Sequence, residues 1–362
     1  MKRILCILSS LDAGGAETFL MKVYRTLPPE EVQFDFIVSH EDGCYTREVL
    51  DRGGRIYAIP MRTKDPIGAL NGIRRIVRDN GYDCVLKLGE TPIAALDMVA
   101  ARLGGAKYTA VRSCNALTGR SAKARCVDAL FRPVLNMSAN VKLAPSMLAA
   151  EYLFGRRRAH KDAHILHNGV DLKIYHYDEE GRGRIREEFS LDGKLVVGHV
   201  GRFHQQKNHR FLLEVFREIR KYRDDAVLLL VGVGALEADV RRRVKELGLE
   251  DAVIFAGQRF DVPQLLSAMD VFVFPSFHEG MPNTVIEAQA TGLPCVIADT
   301  ITTEADITGL VTYLPLEETA EHWAQTALSR VTEQRRDTAG DFLERGYAIE
   351  SVAAELMGLF GH

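Results

Sequence analysis

The sequence predicts an α/β protein of two Rossmann-like doubly wound domains facing a central cleft. Short apolar, β-branched runs alternate with longer segments of helical period. The runs are continuously apolar rather than strictly alternating, the pattern of parallel strands covered by helices on both faces. The series also restarts near mid-chain, and 362 residues suffice for two separate cores.

In the first series, ILCIL (4–8) is a strand and 16–27 a helix. FDFIVS (34–39) and RIYAI (55–59) continue the sheet, with helical segments at 45–52 and 67–80. CVLKL (84–88) precedes a helix over 93–103, and TAV (109–111) and NVKLAPS (140–146) extend the sheet. Residues 167–183 are rich in turn formers: Asn168-Gly169 is a strong turn signal, and the charged, glycine-containing tail reads as a linker. LVVGHVG (195–201), AVLLLVG (226–232), AVIFAG (252–257), VFVFPS (271–276) and PCVIAD (294–299) form the second series. The expected domains are 1–180 and 181–345, followed by a terminal amphipathic helix within 346–362 that could pack back on the first domain.

With 46% hydrophobic and 26% charged residues, the composition excludes disordered, fibrous and low-complexity classes. The six cysteines contain no C-x-x-C pair, so they read as reduced thiols rather than zinc or redox ligands. Ser9, Ser10 and Asp12 end the first apolar run too soon for a signal peptide, and no apolar stretch is long enough to span a membrane. A cytoplasmic protein, peripheral to the inner face of the membrane at most, is expected. Charge is unevenly spread: residues 1–180 carry 26 Lys+Arg against 21 Asp+Glu, and residues 181–362 carry 20 against 28. Residues 99–161 hold 12 basic side chains, Arg120, Lys123, Arg125, Arg156, Arg157, Arg158 and Lys161 among them, against Asp128 and Glu151. This stretch is either a contact for an anionic surface or a solvated helix face.

In doubly wound sheets ligands bind beyond the carboxyl ends of strands, so chemistry is sought in the loops there. Gly14-Gly15-Ala16-Glu17 follows the first strand and opens a helix, either as a phosphate-tolerant helix N-terminus or as a plain tight turn. Gly201-Arg202-Phe203-His204-Gln205-Gln206-Lys207 places two cations five residues apart, either able to grip a diphosphate from two sides or serving as the solubilising charges of a surface loop. Pro275 to Ala288 runs from a strand through a Gly-Pro loop into a helix beginning near Asn283 or Thr284. Glu279 lies on the loop, suited to sugar hydroxyls, and Glu287 in the first helical turn, suited to a ribose diol. Thr284-x-x-Glu287 also reads as a capping box.

These residues together resemble family 4 of the retaining glycosyltransferases, which have the GT-B fold. The resemblance rests on G-R-F-x-x-x-K, the E-x7-E pair Glu279 and Glu287, the N-terminal Gly-Gly-Ala-Glu and the linker His-Asn-Gly-Val-Asp. FPSFHEGMPNTVIEAQATGLPCVIADTIT is similar to bacterial members that build exopolysaccharide or capsule. The resemblance is sharpest over 165–305. It implies a metal-independent transfer, with retention, from a nucleotide diphosphate sugar, UDP-sugar above all, to a hydroxyl of a saccharide acceptor that is lipid-linked. Arg202 and Lys207 would hold the diphosphate, Glu287 the ribose, and Glu279 the sugar near its reacting carbon. Gly15 and Ala16 would lie close to phosphate and acceptor. Gly280, Met281, Pro282, Asn283 and Thr284 would offer the loop and helix N-terminus, Gly232 its loop, and Gln258-Arg259-Phe260 a nucleobase wall. No cofactor is implied beyond the donor.

Two positions depart from the family pattern. Gly232-Val233-Gly234-Ala235 stands where Gly-Asp-Gly-Pro is common, and Cys114, in Val111-Arg112-Ser113-Cys114-Asn115, falls where a histidine is common. Other classes fit less well. A nucleotide-sugar epimerase or a non-catalytic nucleotide-sugar-binding protein would share the architecture. A periplasmic binding protein should carry an export signal, a dehydrogenase needs G-x-G-x-x-G, and nucleic-acid binding lacks interleaved aromatics.

Overall fold

The computed structural model describes residues 1–12, 14–40, 42–114, 121–332 and 334–360. Asn115 and Arg120, both singled out above, lie outside the described residues. The chain forms two compact units, residues 1–169 with 346–362 and residues 170–345.

Unit 1 is built on seven strands: β1 (Lys2–Ile7), β2 (Val32–Val38), β3 (Ile56–Ala58), β4 (Cys84–Gly89), β5 (Tyr108–Ser113), β6 (Val141–Ala144) and β7 (Ala163–Ile165). Their order is β3-β2-β1-β4-β5-β6-β7, and every pairing is parallel. Successive side chains of a strand leave on opposite faces. Accordingly Ile4 and Cys6 pack into one apolar cluster while Leu5 and Ile7 pack into the other. The terminal helix Ile349–Leu359 completes the first cluster through Ile349, Val352, Ala353 and Leu356. Its approach is close: a Cβ on Gly169 would come within 2.6 Å of the Ile349 side chain. Arg112, buried at the end of β5, ties the junction to the sheet by donating to Leu166 O (3.2 Å) and Asn168 Oδ1 (2.5 Å).

Unit 2 has six strands, β8 (Val196–Val200), β9 (Val227–Val231), β10 (Val253–Gly257), β11 (Val271–Phe274), β12 (Cys295–Ala298) and β13 (Val311–Leu314), in parallel order β10-β9-β8-β11-β12-β13. In both sheets the winding direction reverses beside the first strand, between β1 and β4 and between β8 and β11. These are the switch points at which crossovers leave to opposite sides and loops diverge.

The units divide between Gly169 and Val170, ahead of the boundary expected near 180. The reason is packing: Tyr175 lies against the unit 2 core, and the Asp178 N–H donates to Ser267 Oγ at 3.2 Å. The charged tail expected to be a linker is instead the start of a helix, Glu179–Glu188, capped by Asp178. Arg182, a cation of that tail, donates to Asp270 Oδ1 at 2.8 Å and so anchors the helix, and Arg186 beyond it donates to the Ala268 carbonyl at 2.8 Å. All six cysteines are free.

Candidate active site

The switch point of unit 2 brings two sequence-distant loops together. From β8 the chain passes through Gly201–His204 into a short turn of helix, Gln205–Lys207, then turns through Asn208 at φ 51° into the helix His209–Tyr222. From β11 it passes through Pro275–Pro282 into the helix Asn283–Ala290. The Phe277 N–H donates to Gln206 O (2.9 Å), and Gln206 Nε2 donates to His278 O (2.7 Å). Lys207 Nζ meets Glu279 Oε1 at 2.7 Å and lies 4.4 Å from the centre of the Phe274 ring. Lys207 and Glu279 are 17% and 11% exposed, enough to reach a ligand but too little for solvent to screen them strongly. The pair therefore spans the switch point, one partner from each diverging loop.

Arg202 is exposed and has no ion pair among the described residues, so its guanidinium is available to an anion. The 283–290 helix begins at Asn283 behind Pro282, which gives no side-chain cap, so the positive end of the helix faces the loop from β11. This start corrects two expectations. Thr284 lies inside the helix rather than at its cap, so no capping box forms, and Glu287 falls in the second turn, 8% exposed. Gly280 and Met281 are half-buried beside Glu279, and Met281 packs on the core. Arg259 is held by Asp261 (2.6 Å) and Glu188 (2.6 Å) and offers no free charge, whereas its neighbour Phe260 is 90% exposed.

The departure at Gly232-Val233-Gly234 acquires a structural meaning. Gly232 has φ 137°, and a Cβ there would lie 2.2 Å from Gly201 O; one on Gly234 would lie 2.5 Å from Phe203 O. The Phe203 N–H donates to Val233 O (3.2 Å) and the Leu236 N–H to Phe203 O (3.1 Å). The β9 loop is thus a backbone clasp that shapes the Arg202 loop. Gly232→Ala is expected to lower stability by about 1–3 kcal/mol through backbone strain, read by denaturant unfolding. Unfolding at the native midpoint would contradict the clasp.

Sequence reasoning missed what lies beneath Lys207. His199 on β8 is fully buried, its Nδ1 on Val273 O at 2.9 Å, with its ring stacked on Phe274 (5.3 Å). His209, 4% exposed, stacks on Phe203 (4.6 Å) and meets His199 edge-on (4.9 Å). His199 Nε2 and both ring nitrogens of His209 have no hydrogen-bond partner among the described residues. Burial pushes the His209 imidazole down to about 4, helped by the Lys207 charge. It lowers His199 well below the usual histidine range, with His209 adding to the effect. Both are neutral at physiological pH, which leaves Lys207 as the local cation. The readable signal was a histidine inside the apolar run VVGHV.

In unit 1 the helix Gly15–Thr26 opens at Gly14, with no side-chain cap from Gly14 itself. Gly15 and Ala16 are its first residues. Glu17 folds back so closely that a Cβ on Gly14 would lie 2.2 Å from its Oε2. Burial, together with Glu90 and Asp12, raises the Glu17 carboxyl above the usual range. Glu90 follows β4, so this acidic group marks the unit 1 switch point. At the end of β5, burial pushes the Cys114 thiol up to about 11, so it stays protonated at neutral pH and offers no base.

Residues 194–332 match the family described as "Glycosyl transferases group 1", and residues 13–174 match "Glycosyltransferase Family 4". EpsF of Bacillus subtilis (strain 168) is 34% identical over 336 residues, spanning 90% of this chain and 86% of its own. The chain belongs to glycosyltransferase family 4. Another relative of this family 4 enzyme is the UDP-Gal:alpha-D-GlcNAc-diphosphoundecaprenol alpha-1,3-galactosyltransferase of Escherichia coli. It is 26% identical over 304 residues, covering 79% of this chain and 76% of its own. The crystal structure of Anabaena HepE in complex with UDP superposes with a TM-score of 0.80 at 17% identity, covering 99% of both chains. The same protein in complex with UDP-glucose gives 0.79. These likenesses show the GT-B fold, and the chain is a glycosyltransferase related to those of bacterial polysaccharide synthesis.

Proposed function

We propose that this glycosyltransferase moves a sugar from a UDP-sugar, with retention, to a hydroxyl of a lipid-linked saccharide at the inner face of the membrane, in exopolysaccharide or capsule synthesis. The observation that carries the reading is the Lys207–Glu279 pair across the unit 2 switch point. UDP and UDP-glucose in HepE support the donor, and the diphosphoundecaprenol in the name of the Escherichia coli relative supports the acceptor.

The roles follow from charge. As the anomeric C–O bond to the donor phosphate breaks, the departing diphosphate gains negative charge. Arg202, Lys207 and the helix N-terminus at Asn283 stabilise it, with Gly280, Met281, Pro282 and Thr284 shaping the loop around it. The sugar becomes oxocarbenium-like and Glu279 stabilises it electrostatically. The acceptor oxygen bonds to the anomeric carbon on the face the phosphate leaves, and the acceptor proton ends on the departing phosphate. Cys114, a protonated thiol, does not enter this step. Glu287 holds the ribose, and the 258–260 backbone with Phe260 forms the base wall. Gly232 keeps the Arg202 loop in place. In unit 1 we assign the acceptor to the ends of β1 and β4, beside Gly15 and Ala16.

In this reading Arg202 and Lys207 supply the positive charge that compensates the departing diphosphate, so the step calls for no metal ion. Transfer should therefore persist in chelator, and NMR of the product should show the donor's anomeric configuration. An inverted product, or activity abolished by chelation and restored by a divalent ion, would contradict the mechanism. Phe260→Ala should weaken UDP binding by about 1–3 kcal/mol if the ring stacks on the base, read by calorimetry. Unchanged affinity would remove Phe260 from the base wall.

A further inference from the structure

The Ala122–Ser138 helix of unit 1 has its apolar side outward. Val127 (38% exposed), Leu130 (70%), Val134 (39%) and Met137 (79%) recur at spacings of three and four, so they form one stripe along the helix. Cys126 and Pro133 are exposed on the same side. The inward side is firmly held: Leu135 is buried, Asn136 Nδ2 donates to Phe154 O at 3.0 Å, and Arg132 Nη2 donates to Tyr152 O at 3.1 Å. The helix therefore does not have its apolar face waiting for its own core. Contiguous apolar surface of this kind marks a contact with something else.

The cations around the stripe say what. Lys123 heads the same face and is exposed; Arg125, also exposed, lies on another side of the helix. At the other end the exposed Arg102 reaches the Met137 carbonyl at 3.4 Å. Arg156, Arg157 and Lys161 are exposed on the helix Arg156–Asp162, which begins at Gly155 beside the Arg132 side chain. Two of the basic side chains expected to serve an anionic surface do not: Arg112 and Lys142 are buried. Lys123 on the stripe's own face and Arg102 at its far end remain exposed beside it, and Arg125, Arg156, Arg157 and Lys161 are exposed elsewhere on the same unit. A second copy of the chain would bring like charges together, whereas anionic headgroups would meet the cations as the apolar side chains enter the acyl boundary, with long Lys and Arg stems reaching outward. Among the described residues no helix is long and apolar enough to cross a membrane, so the contact lies in the interface plane.

We propose that unit 1 docks on an anionic bilayer by inserting the Val127–Leu130–Val134–Met137 face of this helix between headgroups. The proposal deepens the lipid-linked acceptor reading, and rests on it only for its purpose. The helix begins eight residues after Cys114, so docking holds the carboxyl end of β5 close in sequence to the surface that carries such an acceptor.

The test is co-sedimentation with vesicles of phosphatidylglycerol and phosphatidylethanolamine, with phosphatidylcholine vesicles as control. The UDP-induced thermal shift is measured on the same samples. The native protein should bind the anionic vesicles and retain part of that binding in about 0.5 M salt, where charge alone is screened. Leu130→Glu with Met137→Glu should lower the partition at least about tenfold at both salt concentrations. Arg156→Glu with Arg157→Glu should remove only the salt-sensitive part. Both variants should keep the UDP shift, which shows that they fold and separates docking from the donor reading. Absence of native binding, or equal binding by the Leu130→Glu, Met137→Glu variant, would overturn the proposal. So would a native dimer that this variant converts to monomer with vesicle binding unchanged.

Discussion

Glu279→Ala and Lys207→Ala are each expected to lower turnover at least tenfold, about 1.4 kcal/mol or more of transition-state stabilisation. The 2.7 Å contact makes the two residues one electrostatic unit. Deleting Glu279 leaves an ammonium over the Phe274 ring with no counter-ion and removes the carboxylate facing the developing oxocarbenium. Deleting Lys207 leaves a poorly screened carboxylate and weakens the hold on the departing diphosphate. A folding explanation is separated by the double variant Lys207→Ala, Glu279→Ala. Removing both partners abolishes the unpaired charge, so stability should recover relative to either single variant. Turnover should not recover. Steady-state kinetics and chemical unfolding on all three variants check this, and near-native turnover in both single variants would end the site assignment.

The second large effect is an acid limb of stability set by His209 and His199. Both have folded-state affinities for protons depressed by burial, His209 to about 4. The unfolded chain therefore takes up protons as pH falls through about 6.5 while the native state does not, and stability is lost from there down to about 4. Lys207, facing both rings, adds to the depression. For His209 the loss amounts to as much as ~3 kcal/mol. His209→Phe keeps an aromatic ring against Phe203 and removes ring nitrogens that have no partner among the described residues, so it should be near-neutral at pH 7.5. Its midpoint should then fall less steeply between pH 6.5 and 4 in thermal unfolding. The same slope as the native protein would contradict the assignment.

The β-α order was legible because strands buried on both faces are continuously apolar, and β8 and β11 stand out on that ground alone. Lys207 and Glu279 were legible as candidates because each follows such a strand. Their contact was not, since seventy-two residues separate them and only the β8–β11 pairing brings their loops together. Arg182, in the charged tail, suggested a linker because charge usually signals solvent; its acceptor, Asp270, lies too far along the chain to be paired by inspection. The 122–138 stripe was not read from the sequence, where the basic residues of 99–161 drew the attention, and only the packing of Leu135 shows that the apolar side of this helix faces out. Glu287 was placed a turn too early because Thr284 resembles a cap, whereas the helix starts behind Pro282.

The central claim is that unit 2 holds a uridine nucleotide between the Arg202–Lys207 loop and the Asn283 helix end. Thermal unfolding with UDP, GDP and ADP, on the native protein and on Arg202→Ala with Lys207→Ala, tests it most directly. A ligand at 100 times its dissociation constant stabilises by about 2.7 kcal/mol, a shift of several degrees. The account predicts a shift with UDP that disappears in the double variant. An equal shift in that variant, or none with any nucleotide at concentrations above millimolar, would contradict it.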